Sequence, residues 1–342
     1  MTHNIADFDH ETLHRFLDAT FGAAGMLLER IGGGQSNPTF FLDHGHRRMV
    51  LRKQPAGHIL KGAHAVDREF RLLQALANTD VPVPRPILYR AEGDVVGTPF
   101  YLMERVDGRV FHDCALPGVG PAERNAIYLA MASALAALHR VDPNAVGLGD
   151  FGRPGNYFER QIARWSKQWR ESPVKDIPAL DRLADWLAAH LPRDDGRVAI
   201  AHGDFRLGNL LFHPVEPRVV AILDWELSTL GHPLADVGFC CMTWHTVPDE
   251  YGGIRGLDLA ALGIPTQADF LARYYADALP TARLQPFHIA FSLFRFAVIF
   301  VGIADRAAQG NAAGENAAQL GTLARRFAER GVELAQVPIR SD

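Results

Sequence analysis

His202-Gly203-Asp204-Phe205-Arg206-Leu207-Gly208-Asn209 runs directly into apolar Leu210-Leu211-Phe212, and one hairpin later the chain reads Ile222-Leu223-Asp224-Trp225-Glu226. Three oxygen-bearing side chains, Asp204, Asn209 and Asp224, are thereby gathered around a single hairpin. Carboxylate and carboxamide oxygens are hard donors of the kind that suit Mg²⁺, an ion that keeps several waters and takes few protein ligands. Chemistry on phosphates needs these parts: a metal to bridge phosphate oxygens, and one carboxylate to orient an attacking hydroxyl and accept its proton. Asp204, Asn209 and Asp224 can supply those parts.

Working outward, residues 198–225 form a short strand pair set among helical segments, because the stretches from Ala122 to Arg140, 156–171 and 179–191 all carry helical apolar spacing. The first hundred residues have a different character. After an amphipathic opening helix (Leu13, Phe16, Leu17) come MLLERI, the Gly-rich GGGQSN, PTFFLD, a turn at His44-Gly45, and RRMVLRK, which together predict a strand meander. Val66, Phe70, Leu73 and Leu76 recur at helical spacing, Asn78 and VPVPRP close that helix, and ILYR and FYLMERV supply two further strands. The expected class is therefore α+β: an N-terminal antiparallel sheet of about five strands with a helix against it, residues 1–106, and a mainly helical second part, 107–342, that carries the hairpin.

Composition bounds the function. The 342 residues, 48% hydrophobic and 22% charged with 31 Gly and 21 Pro, are ordinary for a globular chain of about two domains and exclude collagenous or low-complexity classes. Lys plus Arg number 35 against 39 Asp plus Glu, a net charge of −4, so no basic footprint for nucleic acid or an anionic membrane is expected. Cys114, Cys240 and Cys241 have neither disulfide nor zinc spacing. The polar, acidic start MTHNIADFDHETLH lacks a signal-peptide pattern, which reads as cytoplasmic. The apolar run from Phe287 to Ala304 is interrupted by His288, Ser292 and Arg295 and reads as a buried helix rather than a membrane span.

The step of five from Asp204 to Asn209 equals the base-to-metal-ligand step of the protein-kinase catalytic loop, and Asp224 falls where the metal-binding aspartate of that fold stands. With the signature HGDxxxxNxL beginning at His202, the chain resembles the aminoglycoside phosphotransferase and choline kinase-like branch of the protein-kinase-like fold. The segments VLRKQPAG, AHAVDREFRLLQAL, VPVPRP and ILDWELSTLGHPLADVG look especially similar to the kinase-like domains fused to some animal acyl-CoA dehydrogenases. The resemblance implies a two-lobed kinase fold, ATP or GTP as donor, Mg²⁺, and a small hydroxylated molecule as acceptor.

It also implies roles for further residues. Gly34, Ser36 and Asn37 match the phosphate loop. Arg206 lies where kinases often carry a lysine that neutralises the transferred phosphate. Asp236 resembles the aspartate that braces the catalytic loop, and His202 matches a histidine that shapes it. Glu69 fits the helix carboxylate that pairs with a strand cation, for which Arg52 and Lys53 compete; strand alternation turns only one of them inward, and alignment favours Arg52. Glu104 and Val106 match the hinge that reads adenine through a backbone carbonyl and N–H. Trp165 and Trp169, four apart on a helix, read as packing, as do His139, His232, His245 and the adjacent cysteines.

Three functions fit: a small-molecule O-phosphotransferase, a nucleotide-binding scaffold without turnover, and a protein kinase. The intact triad Asp204, Asn209 and Asp224 speaks against a scaffold, and the lack of A-P-E after Asp224 speaks against a protein kinase. Residues 251–342 carry nine Arg and eight Asp or Glu, a balance that does not favour a cationic acceptor such as an aminoglycoside or choline-like amine. The dehydrogenase-fused domains point instead to a hydroxyacyl-CoA, with the apolar run around Phe287 to Phe300 expected to line its pocket.

Overall fold

A computed structural model of the chain describes residues 7–32, 37–57, 65–153, 155–173, 176–308 and 317–336. Gly34 and Ser36 of the expected phosphate loop lie outside the described residues. In chain order the elements are α1 (His10–Phe21), β1 (Met26–Arg30), β2 (Thr39–His44), β3 (Arg47–Lys53), α2 (Val66–Leu76), β4 (Pro86–Arg90), β5 (Phe100–Glu104), α3 (Pro121–Arg140), α4 (Tyr157–Glu171) and α5 (Pro178–Ala189). There follow β6 (Ala199–Ala201), β7 (Leu210–Phe212), β8 (Val219–Ile222), β9 (Thr229–Gly231), α6 (Pro233–Cys241), α7 (Leu259–Leu262), α8 (Gln267–Asp277), α9 (Pro286–Ala308) and α10 (Ala317–Ala335).

Two compact units emerge: Met1–Arg109 with Val220–Glu226, and Val110–Val219 with Leu227–Asp342. The contiguous division at residue 106 missed the return of 220–226 to the first unit. The Ile222 N–H donates to the Pro82 carbonyl at 2.8 Å, so the end of β8 that leads into Asp224 is anchored on the first unit.

In the first unit an antiparallel sheet of order β1-β2-β3-β5-β4 is covered by a helix on each face. Because side chains alternate along a strand, Phe40, Leu42, Met49, Leu51, Phe100 and Leu102 share one face and pack with Leu13 and Leu17 of α1. Tyr89 and Tyr101 meet Phe70 of α2 on the other, at ring distances of 5.7 and 5.9 Å. Asp9 caps α1 by accepting from the Glu11 and Thr12 N–H groups.

The second unit is built around α9, which packs against α10, α6, α5 and α4, while α3 pairs with α8. A short antiparallel pair, β6 with β9, sets the loop that begins at His202. By length and composition Pro286–Asp305 could cross a membrane, yet 78% of that window is buried. Its Phe287, Phe291 and Phe294 are at most 1% exposed. This corrects the expectation for the phenylalanines of the run, which are spent on the core rather than on an acceptor pocket.

Candidate functional site

The first unit assembles its polar group on the α2 face of the sheet. Arg52 stands opposite Tyr101 and Lys53 opposite Phe100, so alternation sends the two cations to different faces. The Arg52 Nε lies 2.8 Å from Glu69 Oε2, a charge contact with its N–H turned off the line to that oxygen, and Nη2 donates to Asp224 Oδ1 at 2.9 Å. Lys53 turns instead to the Asp7 carboxylate, 2.9 Å away, and the Phe8 ring. Burial works against the charge of Arg52, but Glu69, Asp224 and Glu226 hold its pKa above the usual arginine value. The geometry thus separates the two candidates.

Glu69 is almost completely buried and accepts from Asn37 Nδ2 at 2.7 Å and from the Tyr101 hydroxyl at 2.9 Å. Asn37 therefore spends its amide on Glu69, a partner that its place in a Gly-rich loop gave no means of foreseeing. Asp224 adopts φ +63°, a left-handed conformation that aspartate tolerates better than most residues and that collects at functional sites. Its Oδ1 is engaged by Arg52, and its side chain is 37% exposed. At the end of β5 the Glu104 N–H donates to the Arg85 carbonyl at 2.9 Å. Among the described residues Val106 N–H has no intramolecular partner.

In the second unit Gly203 turns the loop at φ +83°, where a Cβ would stand 2.8 Å from the Leu227 carbonyl oxygen; both facts require glycine. Asn209 Nδ2 donates to the Asp204 carbonyl at 2.9 Å and to Asp204 Oδ2 at 2.7 Å. With its nitrogen used twice, the free end of the Asn209 amide is its oxygen. Arg206 Nε lies 3.5 Å from Asp204 Oδ2, and its guanidinium sits 5.6 Å from the Tyr251 ring centre. Asp204 Oδ1 is buried and accepts no hydrogen bond. Burial pushes the Asp204 carboxyl above its usual pKa, against the pull of Arg206, His202 and Asn209.

Beneath this loop Asp236 is satisfied on both oxygens, accepting from the His202 N–H at 2.6 Å and the Gly203 N–H at 2.8 Å. His139 Nε2 lies 3.4 Å away, and its Nδ1 meets the Tyr274 hydroxyl at 2.8 Å. Burial alone would raise the Asp236 pKa, but His139, His202 and the Gly203 N–H together hold it below its usual value. His202 is fully buried and accepts the Asp204 N–H on Nδ1 at 3.2 Å. The brace through His139 and Tyr274 was not foreseen, because it joins α3 and α8 across 135 residues.

In the first unit Asp224 keeps a second carboxylate oxygen, and in the second Asn209 offers its carbonyl oxygen; each is a hard donor of the kind that a divalent cation takes.

A sheet unit with an arginine–glutamate pair and a helical unit with an Asp-x₄-Asn loop define a protein of the protein-kinase-like fold. More narrowly, the chain belongs to the phosphotransferase enzyme family, whose sequence profile matches residues 28–284. It is 42% identical over 332 residues to acyl-CoA dehydrogenase family member 10 of Mus musculus, covering 95% of this chain and 31% of that protein. Against acyl-CoA dehydrogenase family member 11 of Gallus gallus the identity is 40% over 343 residues, covering 96% and 44%. The chain thus spans less than half the length of these relatives. A crystal structure of a Ralstonia eutropha protein, provisionally named an aminoglycoside phosphotransferase, aligns with a TM-score of 0.88 at 46% identity, covering 98% of this chain and all of the other.

Proposed function

We propose that the protein transfers the γ-phosphoryl group of a nucleoside triphosphate to a hydroxyl of a small-molecule acceptor. The observation that carries this reading is Asp204: an enclosed carboxylate with one oxygen held by Asn209 and the other without a donor, where an acceptor hydroxyl would deliver its proton. A carboxyl with a raised pKa is also a better proton acceptor than an exposed aspartate. Arg206, beside the same carboxylate, would counter negative charge that develops on the transferring group.

On the donor side Arg52, held in place by Glu69, would take the nucleotide phosphates, and the Glu104 carbonyl with the Val106 N–H would read the base. Asn209 and Asp224 would hold Mg²⁺, which when bound supplies neutralisation of phosphate charge. A hydroxyacyl-CoA is the proposed acceptor class, supported by the names of the acyl-CoA dehydrogenase relatives and by the absence of an acidic excess in residues 251–342.

Incubating the protein with Mg-ATP and a pool of hydroxyacyl-CoAs, sugars, aminoglycosides and choline-like amines, with products read by mass spectrometry, tests the reading. A phosphorylated hydroxyacyl product that disappears with Asp204→Asn is the expected result. Turnover that survives Asp204→Asn would falsify the base assignment. Asp224→Ala is expected to abolish Mg-dependent nucleotide binding in calorimetry, and unchanged binding would remove Asp224 from the metal site.

A further inference from the structure

Arg295 is the anomaly of α9. In a helix whose neighbouring side chains are phenylalanine, alanine and valine, it buries a guanidinium that is only 9% exposed. Among the described residues it forms no ion pair and no hydrogen bond. Its contacts are aromatic: the guanidinium carbon lies 5.9 Å from the Trp165 ring centre and 5.8 Å from that of Phe296. Ring faces stabilise the cation but leave its in-plane N–H donors unspent. Enclosing a charge without a paired counter-ion is otherwise strongly unfavourable, and among the described residues no carboxylate pairs with this one.

A second guanidinium occupies the same indole. Arg164 lies 4.9 Å from the Trp165 ring centre and likewise forms no ion pair or hydrogen bond among the described residues. Partial burial and then the like charge of Arg295 hold Arg164 below the usual arginine pKa. Two cations are thus gathered on one ring, neither of them ion-paired among the described residues.

Their place in the unit connects them to Asp204 through a run of contacts. Phe296 lies 5.7 Å from the Tyr251 ring, Arg206 stands over Tyr251, and Arg206 reaches Asp204. Tyr251 itself is held at φ +61°, 42% exposed, a strained conformation for an aromatic residue. Arg295 also acts on Asp204 electrostatically, drawing its pKa down against burial. Tyr157, on the wall of a cavity of about 1130 Å³ that also carries Arg153 and Arg160, lies in the field of both Arg295 and Arg164.

We propose that Arg295 and Arg164, on Trp165, form an oxyanion subsite for the acceptor, so that the molecule phosphorylated carries a phosphate or carboxylate group. A planar guanidinium with free donors is suited to bidentate capture of such a group. The inference rests on the phosphotransfer reading and narrows its substrate to anionic acceptors.

Calorimetric titration of the full chain, saturated with Mg-ADP, uses coenzyme A, inorganic phosphate and kanamycin as probes. Coenzyme A is expected to bind, phosphate to compete with it, and kanamycin to do neither. Arg295→Met should weaken coenzyme A by about 10-fold or more, and Arg295→Lys by less. Arg164→Ala, at an exposed helix position where folding is safe, should weaken it in the same direction. Mg-ADP affinity should stay constant throughout. The subsite is overturned if coenzyme A and phosphate fail to bind the parent protein, or if both Arg295→Met and Arg164→Ala bind them unchanged. It is also overturned if Mg-ADP affinity falls in step, since the anion would then be the donor's phosphate. Binding needs no turnover, so Asp204→Asn should retain coenzyme A affinity even if the phosphotransfer reading fails.

Discussion

Asp204 and Asp236 serve the same short loop, one at its tip and one at its root, and their surroundings differ in kind. Asp236 has both oxygens filled by backbone N–H groups, with His139 and Tyr274 lined up behind it. Asp204 has one oxygen filled and the other buried without a donor. The pKa directions follow, down at the root and up at the tip. A saturated carboxylate fixes geometry, whereas one left short of a donor stores capacity for a proton or a cation, and the fold places the first so that the second can be held.

The largest test of that contrast is Asp204→Asn, which should cost about 10²–10⁴-fold in turnover while leaving urea stability unchanged or slightly higher, since a charge enclosed without full compensation is removed. A marked loss of stability would show that Asp204 is structural like Asp236. Asp236→Ala should act the other way round, because it leaves two buried N–H groups without an acceptor at about 1–3 kcal/mol each, read as a lower urea midpoint. If Asp236→Ala melts like the parent protein, the root is not a brace. Tyr274→Phe removes only the far hydrogen bond to His139 and should cost about 1 kcal/mol.

The smallest effect is in pH, and its sign differs between the two carboxylates. Asp236, lowered in the native state, contributes stability that is present above the ordinary value of 3.8 and lost as pH falls through its lower native pKa. Asp204, raised in the native state, costs stability above 3.8, and that cost is relieved as pH falls through its higher native pKa. Thermal melts across the acid range should show Asp204→Asn and Asp236→Asn bending the stability curve in opposite senses; parallel curves would break the comparison.

Much of this was legible in the order of residues. Alternation in RRMVLRK separates Arg52 from Lys53, and the spacing from Asp204 to Asn209 is short enough to fix a loop by itself. What escaped depends on long-range packing. Asn37 reaching Glu69 spans 32 positions, and the His139 brace spans 135. Arg295 was noticed only as an interruption of an apolar run, because a helical pattern records that a position is polar without recording what, if anything, neutralises it. The phenylalanines around it were assigned to a pocket for a related reason: hydrophobicity does not distinguish a cavity wall from a filled core.

The discontinuity of the first unit bears on how the chain is made. Its sheet is complete by residue 109, but its last carboxylate enters with residues 220–226, about 110 residues later on the ribosome. At roughly 5–20 residues per second, Arg52 and Glu69 can emerge and pair several seconds before Asp224 exists. During that interval the nascent sheet has its cation without its second counter-charge, and a truncated product ending near residue 109 would keep it so permanently.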